Sequence, residues 1–406
     1  MSKYKKTALA PEQLLPTVKV SPKGAKGLRG ASPWLYRTEV VEAPEALPPG
    51  AVVRVVDLQG NPIGQAFHAQ KSPLALRLLT RRSAAQEPVD EAFFERRLQL
   101  ALARRSALGP RDGVRLVHGE ADLLPGLFVD RYGAGLTLQT LSEGMDVRKE
   151  ALARHLLALT REQGVTHVVC RDDASGRDFE GLPREVRLLA GEAPARFTYH
   201  EGQNRFEVDL LGDMKTGAFL DQVDNHLRAG ELARGEALDL FSYHGGFALS
   251  LARRCSRVLA VEQDATAAER IGHNARANAL SNVEVQHGNA FDVLRTFAQG
   301  EPRFDTVVLD PPGLAKRKEG LGTALRAYHE LNLRAFKCVR PEGLLVTCSC
   351  SGKLSREAFE EMVLSAAHDA RRSVQILERR GAGLDHPVLA GLPESEYLKA
   401  LYLRVL

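Results

Sequence analysis

From about residue 206 onward, short apolar runs alternate with longer segments whose apolar residues recur every three or four positions, which predicts strands alternating with helices. Strands are expected over 237–241, 257–262, 283–286, 304–310, 343–350, 374–378 and 398–405. Helices fit after Gly245 and over 265–279, 291–298, 321–338 and 357–371. A helix after each early strand is the pattern of a doubly wound α/β sheet. The last connection differs: residues 381–397 are rich in Gly and Pro and too irregular for a crossover helix, so the final strand is expected to enter antiparallel. Upstream, residues 51–57 are strand-like, Gln59-Gly60-Asn61-Pro62 reads as a turn, and 63–67 returns as a partner strand, which suggests a small β-rich module. Helical spacing over 93–103 and 145–159, with strand-like runs at 114–117, 127–130, 136–140 and 166–170, predicts an α+β unit after it. The expected domains are therefore a tail at 1–16, a β-rich domain at 17–83, an α+β domain at 84–190 and a Rossmann-like seven-stranded domain at 191–406.

Bulk properties narrow the class. A chain of 406 residues holds two or three domains, and 44% apolar with 26% charged residues is a globular composition. No run of about 18 apolar residues exists and the basic start has no apolar segment after it, so a membrane span and a signal peptide are not expected and a cytoplasmic location is. Five cysteines, at 170, 255, 338, 348 and 350, match neither a disulfide framework nor a four-ligand zinc site. Reduced thiols and no metal are expected. The net charge of +4 does not identify a nucleic-acid ligand, but Lys3, Lys5, Lys6, Lys19, Lys23, Lys26 and Arg29 all precede residue 31, where Glu12 is the only acid. Such a segment either solubilises the chain or contacts RNA. Asp172, Asp173 and Asp178 read as a solvated loop rather than a metal site.

Ligands of doubly wound sheets gather at the carboxyl ends of the strands, where strand order reverses. The first predicted strand ends Leu238-Asp239-Leu240-Phe241-Ser242 and runs into Tyr243-His244-Gly245-Gly246-Phe247, where glycine lets the backbone pass close to a ligand. The second ends at Glu262, a carboxylate able to accept both hydroxyls of an adenosine ribose. A dinucleotide site shares that geometry, but the loop lacks the GxGxxG turn that holds a pyrophosphate, whereas S-adenosylmethionine has no phosphate to hold. Asp239, Ser242, Gly245 and Glu262 are the candidate cofactor contacts, with Asn289 and the backbone at Ala290 beside the adenine edge. Strand four stops at Asp310-Pro311-Pro312, whose rigid turn fixes Asp310 at the cofactor edge, with Pro311 and Pro312 close to a flat base. Strand five ends Cys348-Ser349-Cys350-Ser351; Cys350 lies nearer the crevice and is the nucleophile candidate, Cys348 a packed thiol.

These segments, together with Asp385-His386-Pro387-Val388-Leu389 and the block Gly212-Asp213-Met214-Lys215-Thr216-Gly217-Ala218-Phe219-Leu220-Asp221-Gln222, resemble the RlmI-like family of bacterial 23S ribosomal RNA cytosine-C5 methyltransferases over nearly the whole chain. The resemblance implies a PUA-like RNA-binding domain, an α+β middle domain and a class I methyltransferase domain. It implies S-adenosylmethionine as cofactor and methylation of a cytosine at carbon 5. Cys350 would add at C6 of the ring and Asp310 would hold the base. Lys215, Phe219 and Gln222 resemble the family block that approaches cofactor and substrate, with Gln222 on the cofactor side. Asp221 is equally suited to cap the following helix, and His386 lines the base pocket or serves structure. Gly313 stands where some related enzymes carry a second cysteine after the two prolines, so Cys350 must act without that helper.

The implied partner is 23S ribosomal RNA or a large-subunit assembly intermediate, with the target cytosine unpaired or flipped. Lys23 and Arg29, with Lys19 and Lys26, are the candidate RNA contacts of the first domain. A homodimer is compatible with the sequence and no coiled-coil repeat demands one. Two other readings remain open: methylation of another ribosomal RNA base atom without a thiol nucleophile, and a non-catalytic RNA-binding assembly factor.

Overall fold

A computed structural model describes residues 15–301, 303–315 and 320–406. The tail at 1–16 lies, except for its last two residues, outside the described residues. The chain divides into two compact units: one runs through Phe197 with Val208–Ala218 and Val388–Pro393, the other comprises Thr198–Glu207, Phe219–Pro387 and Glu394–Leu406.

The first unit contains two sheets. In the six-stranded one the order is Trp34–Tyr36, Leu74–Thr80, Pro62–His68, Val52–Val56, Thr17–Val20, Val40–Glu42, around buried Val18, Val20, Val53, Val55, Ala66 and Leu76. Val52–Val56, within the run expected as a strand over 51–57, buries Val53 and Val55 and leaves Val52 and Arg54 half-buried. The five-stranded sheet orders Glu185–Ala190, His167–Asp172, Gly135–Thr140, Leu127–Tyr132 and Gly113–His118, with the helices Glu91–Ser106 and Lys149–Thr160 on its core. Asp90 caps the first of these helices through Phe93 N (2.9 Å).

Of the three carboxylates expected in a solvated loop, Asp178 is exposed and Asp173 partly so, but Asp172 is not solvated. Asp172 is fully buried and pairs with Lys149 and with Arg177 (3.0 Å), itself fully buried, while Lys149 also binds Asp146 (2.8 Å) and Glu185 (2.7 Å). Buried charges persist only when paired. Cys170, Asp172 and Glu185 bring ligand atoms within 4.8 Å of one another, but the Lys149 ammonium already sits on both carboxylates. Burial pushes the Cys170 thiol up to about 12, which suits a packed thiol.

The second unit carries the predicted seven-stranded sheet. In chain order its strands are β1 (Glu236–Leu240), β2 (Arg257–Glu262), β3 (Val283–His287), β4 (Phe304–Leu309), β5 (Val339–Ser349), β6 (Val374–Arg380) and β7 (Lys399–Val405). They lie in the order β3-β2-β1-β4-β5-β7-β6, with β7 antiparallel to both neighbours, as the irregular connection before it led one to expect. The helices are α1 (Val223–Leu232), α2 (Gly246–Ala252), α3 (Ala265–Ala277), α4 (Ala290–Phe297), α5 (Leu321–Cys338) and α6 (Arg356–Asp369). Leu238, Leu240, Val307, Leu309, Leu345, Tyr328, Phe336 and Phe359 fill one face of the sheet. Strand order reverses between β1 and β4, so the loops after these two strands border the crevice where such folds bind ligands.

Candidate functional site

The loop after β1 is held in an unusual conformation. Phe241 (φ 67°), Tyr243 (φ 49°) and Gly245 (φ 89°) all lie in the left-handed region, which for residues other than glycine costs energy. A β-carbon on Gly245 would also stand 2.8 Å from Leu249 Cδ1. Gly245 is the N-cap of α2, and its N–H donates to Ser242 O (2.8 Å). The aromatic rings of this loop stack: Tyr243 on His244 at 3.7 Å between centroids, with Phe219 edge-on to Tyr243 at 4.9 Å. Burial drives the His244 imidazole down to about 3, so it is neutral.

Glu262, at the end of β2, joins two loops. One carboxylate oxygen accepts from Tyr243 N (2.8 Å), the other from Gln263 N (2.8 Å) and Asp264 N (2.9 Å). Asp239 differs. It is 1% exposed and neither carboxyl oxygen has a hydrogen-bond partner. The Ser242 hydroxyl donates instead to the Asp239 carbonyl (2.9 Å). Burial pushes the Asp239 carboxyl up to about 7, with the Asp310 charge adding to the rise.

Asp310 follows β4 and receives a hydrogen bond from Gln222 Nε2 (2.9 Å), whose Oε1 accepts in turn from Asn225 Nδ2 (2.7 Å). Gln222 thus orients the carboxylate that the sequence singled out. Cys350 sits at the end of β5, half-buried, and Cys348 two residues earlier is fully buried with its thiol pushed far up by burial. A β-carbon placed on Gly313 would lie 3.5 Å from Cys350 Sγ, so the turn after Asp310-Pro311-Pro312 and the sulfur of Cys350 share one space. Pro311 is buried there and Pro312 exposed. The Cys350 loop is pinned by hydroxyls: Tyr328 Oη lies 3.0 Å from both Ser349 Oγ and Ser351 Oγ, and Ser351 Oγ accepts from Ala315 N (3.1 Å).

The other candidates divide by environment. Asn289 caps α4 through Phe291 N (2.9 Å), with Ala290 buried as the first helical residue. Asp221 does not cap α1, whose N-cap is Gln222 with no side-chain bond; Tyr397 Oη donates to Asp221 Oδ2 (2.6 Å) instead. His386 is buried with its Nδ1 2.9 Å from Asp385 Oδ1. Lys215 belongs to the first unit, exposed and at φ 52°. In that unit too, Lys23 pairs with Glu39 (3.1 Å) and Arg29 with Asp57 (2.6 Å).

Two buried groups near the site escaped the sequence. His226, on α1, meets Glu201 (2.7 Å) and Phe247 (ring centroids 4.5 Å); burial would lower its pKa, but Glu201, with Asp310 and Asp239, raises it. Lys399 opens β7 and is also buried. Neither lies in a motif, and Glu201, Phe247 and Ser351, which they meet, are distant in sequence.

Residues 18–81 match the family model of PUA-like domains, and residues 217–362 match the model described as conserved hypothetical protein 95. The ribosomal RNA large subunit methyltransferase I of Tolumonas auensis is 36% identical over 390 residues, covering 94% of this chain and 97% of that protein. Its Yersinia pestis counterpart is 35% identical over the same shares of both chains. Among solved structures, a SAM-dependent methyltransferase from Streptococcus mutans matches with a TM-score of 0.79 at 17% identity, covering 96% of this chain and 100% of that one. A methyltransferase complexed with SAH matches with a TM-score of 0.80 at 18% identity over the same shares. These two likenesses show the fold.

Proposed function

The chain belongs to the ribosomal RNA large subunit methyltransferase I family, and on that premise we propose that it methylates carbon 5 of a cytosine in 23S ribosomal RNA through a transient bond between Cys350 and C6. It is an S-adenosylmethionine-dependent methyltransferase of large-subunit ribosomal RNA; the atom modified and the covalent route are the proposal. The observation that carries it is the sulfur of Cys350, a residue that is only partly buried, lying against Gly313 on the turn that leaves Asp310.

The residues present fit the cofactor. A buried carboxyl with both oxygens unpartnered, at the carboxyl end of β1, is an unmet demand for a donor, which the ammonium of an amino-acid moiety satisfies. Asp239 would hold that ammonium, Glu262 the ribose hydroxyls, and Asn289 with the Ala290 backbone the adenine, while Ser242 and Gly245 shape the loop and Gln222 fixes the Asp310 side of the crevice. When bound, S-adenosylmethionine supplies an electrophilic sulfonium methyl group.

The remaining chemistry belongs to the chain. Carbon 5 of an aromatic cytosine is a poor nucleophile. The Cys350 thiolate donates its electron pair to C6, which moves ring electrons onto C5 and makes that carbon able to attack a methyl group. Asp310, carrying a proton at this stage, donates its O–H to N3 and so offsets the negative charge that accumulates there. Loss of the C5 proton to a base then restores the ring and expels the sulfur. Because C5 and C6 are hidden in a paired helix, the target is unpaired or flipped, with the PUA-like domain contacting RNA elsewhere.

Methyl transfer by Cys350→Ser, and covalent trapping on RNA carrying 5-fluorocytosine, test this. Loss of turnover and a stable adduct with the unaltered protein are expected. Undiminished turnover without an adduct would reject the thiol route in favour of methylation at another base atom. Mapping methylated nucleotides in 23S RNA with and without the gene identifies the position and the atom modified.

A further inference from the structure

Lys399 opens β7 opposite Ser349 of β5, and its side chain is only 2% exposed. Its Nζ donates to the carbonyl of Ser351 (2.7 Å) and to that of Tyr397 (2.9 Å). Ser351 directly follows Cys350, so the amine is fixed to the backbone that carries the sulfur. Among the described residues these two carbonyls are its hydrogen-bond partners, and no carboxylate bonds it. Burying an ammonium without an anion is costly, and here burial draws the Lys399 pKa down to about 8, with a Cys350 thiolate acting in the opposite direction.

The surrounding charges leave that vacancy in place. Arg356, on α6, disfavours the ammonium, and Glu396 favours it, but Glu396 is already engaged by Arg356 (2.7 Å). Tyr397 turns its hydroxyl to Asp221 (2.6 Å) while offering Lys399 only its carbonyl. Tyr328, from α5, meets the loop through neutral hydroxyls, and burial raises its pKa further, so it supplies no anion.

We propose that Lys399 is a positioning residue whose buried ammonium stabilises the anionic form of the Cys350 thiol, the charge missing from its surroundings being supplied by the nucleophile itself. In this step the S–H bond breaks, the proton passes to solvent, the electron pair stays on sulfur, and the ammonium keeps its three protons. The inference rests on the reading of Cys350 as nucleophile, but its test requires neither RNA nor cofactor.

The test is the pH dependence of Cys350 alkylation by iodoacetamide in the full-length protein, with Cys350→Ser as the blank; the other four cysteines are buried. Lys399→Met is expected to move the midpoint up by about one unit, slowing alkylation near pH 7 about tenfold, whereas Lys399→Arg stays near the unaltered value. A folded Lys399→Met protein with an unmoved midpoint overturns the proposal, as does an equal shift in the Met and Arg variants, which a purely structural tether predicts. If the Met variant does not fold, the unaltered protein decides: a midpoint clearly below the free-thiol value of about 8.5 supports the proposal and one at or above it overturns it. A Cys350→Ser enzyme that still methylates RNA would end the nucleophile reading and leave the alkylation result standing, so the two failures are distinguishable.

Discussion

The backbone of Gly313 faces the sulfur of Cys350, and a β-carbon there would come within 3.5 Å of Sγ and 3.8 Å of Ser351 Oγ. Both are ordinary contact distances, so Gly313→Ala is expected to fold normally. A branched side chain projects further into the same space. Gly313→Val should lower single-turnover methyl transfer at least about tenfold, or about 1.4 kcal/mol, while S-adenosylmethionine affinity by calorimetry is unchanged. A Val variant of full activity would show that the base reaches the sulfur from another side.

Gln222 joins Asn225 to Asp310 by bonds of 2.7 and 2.9 Å, so its amide sets how the Asp310 carboxylate points. Gln222→Glu replaces a donor with a second carboxylate, and two such groups in contact do not both ionise freely. We expect methyl transfer to fall at least tenfold at pH 8 and to recover partly as pH is lowered and a proton is shared. The pH–rate profile is the measurement; a profile indistinguishable from that of the unaltered enzyme would remove Gln222 from the positioning of Asp310.

Asp239 carries a pH signature. Its carboxyl is raised from 3.8 to about 7 in the folded protein, so the native state binds the proton more tightly than the unfolded chain. Stability from this group is therefore greatest below about pH 4, declines as pH rises toward 7, and is level above that. At about 1.4 kcal/mol per unit the cost reaches a few kcal/mol in the ligand-free protein. Asp239→Asn should accordingly raise the Tm of the ligand-free protein at pH 8, the gain vanishing near pH 4, and should abolish the Tm rise that S-adenosylmethionine gives the unaltered protein. His226, whose pKa the Asp239 charge helps to raise, loses that part of its shift in the variant, so the comparison reads the pair.

In the first unit, Asp172 is the shared acceptor of Lys149 and Arg177. Removing the fully buried acid of this network leaves two buried cations sharing Asp146, with Glu185 on Lys149 alone, at a cost of up to about 3–5 kcal/mol. Asp172→Ala is expected to lower the urea midpoint by that equivalent while leaving the alkylation rate of Cys350 in the folded protein unchanged. A loss below about 1 kcal/mol would mean that Lys149 and Arg177 find other acceptors.

What the sequence disclosed follows from where the signal resides. The helix expected over 321–338 coincides with α5, because its apolar stripe is local and faces a single core. β5 begins at Val339, earlier than the expected 343, since Val339 pairs with Phe304 ahead of an irregularity and Arg340-Pro341-Glu342-Gly343 carries turn chemistry inside the strand. Asp172 looked solvated because its cations lie 5 and 23 positions away in the chain, and no local pattern announces them. Asp310 and Cys350 were legible as motif residues at strand ends. The groups that support them were not: Tyr328 and Lys399 read as ordinary positions of a helix and a strand, and acquire meaning only when the fold brings Ser349 and Ser351 beside them.

Phe241 and Tyr243 keep bulky side chains at backbone angles that glycine or asparagine adopts more cheaply. Relief of strain and retention of ring packing thus pull in opposite directions on one short stretch of chain, because Phe241 meets Phe291 edge-on and Tyr243 stacks on His244. A library screened for heat resistance alone should therefore keep the rings at these two positions and gain its stability elsewhere.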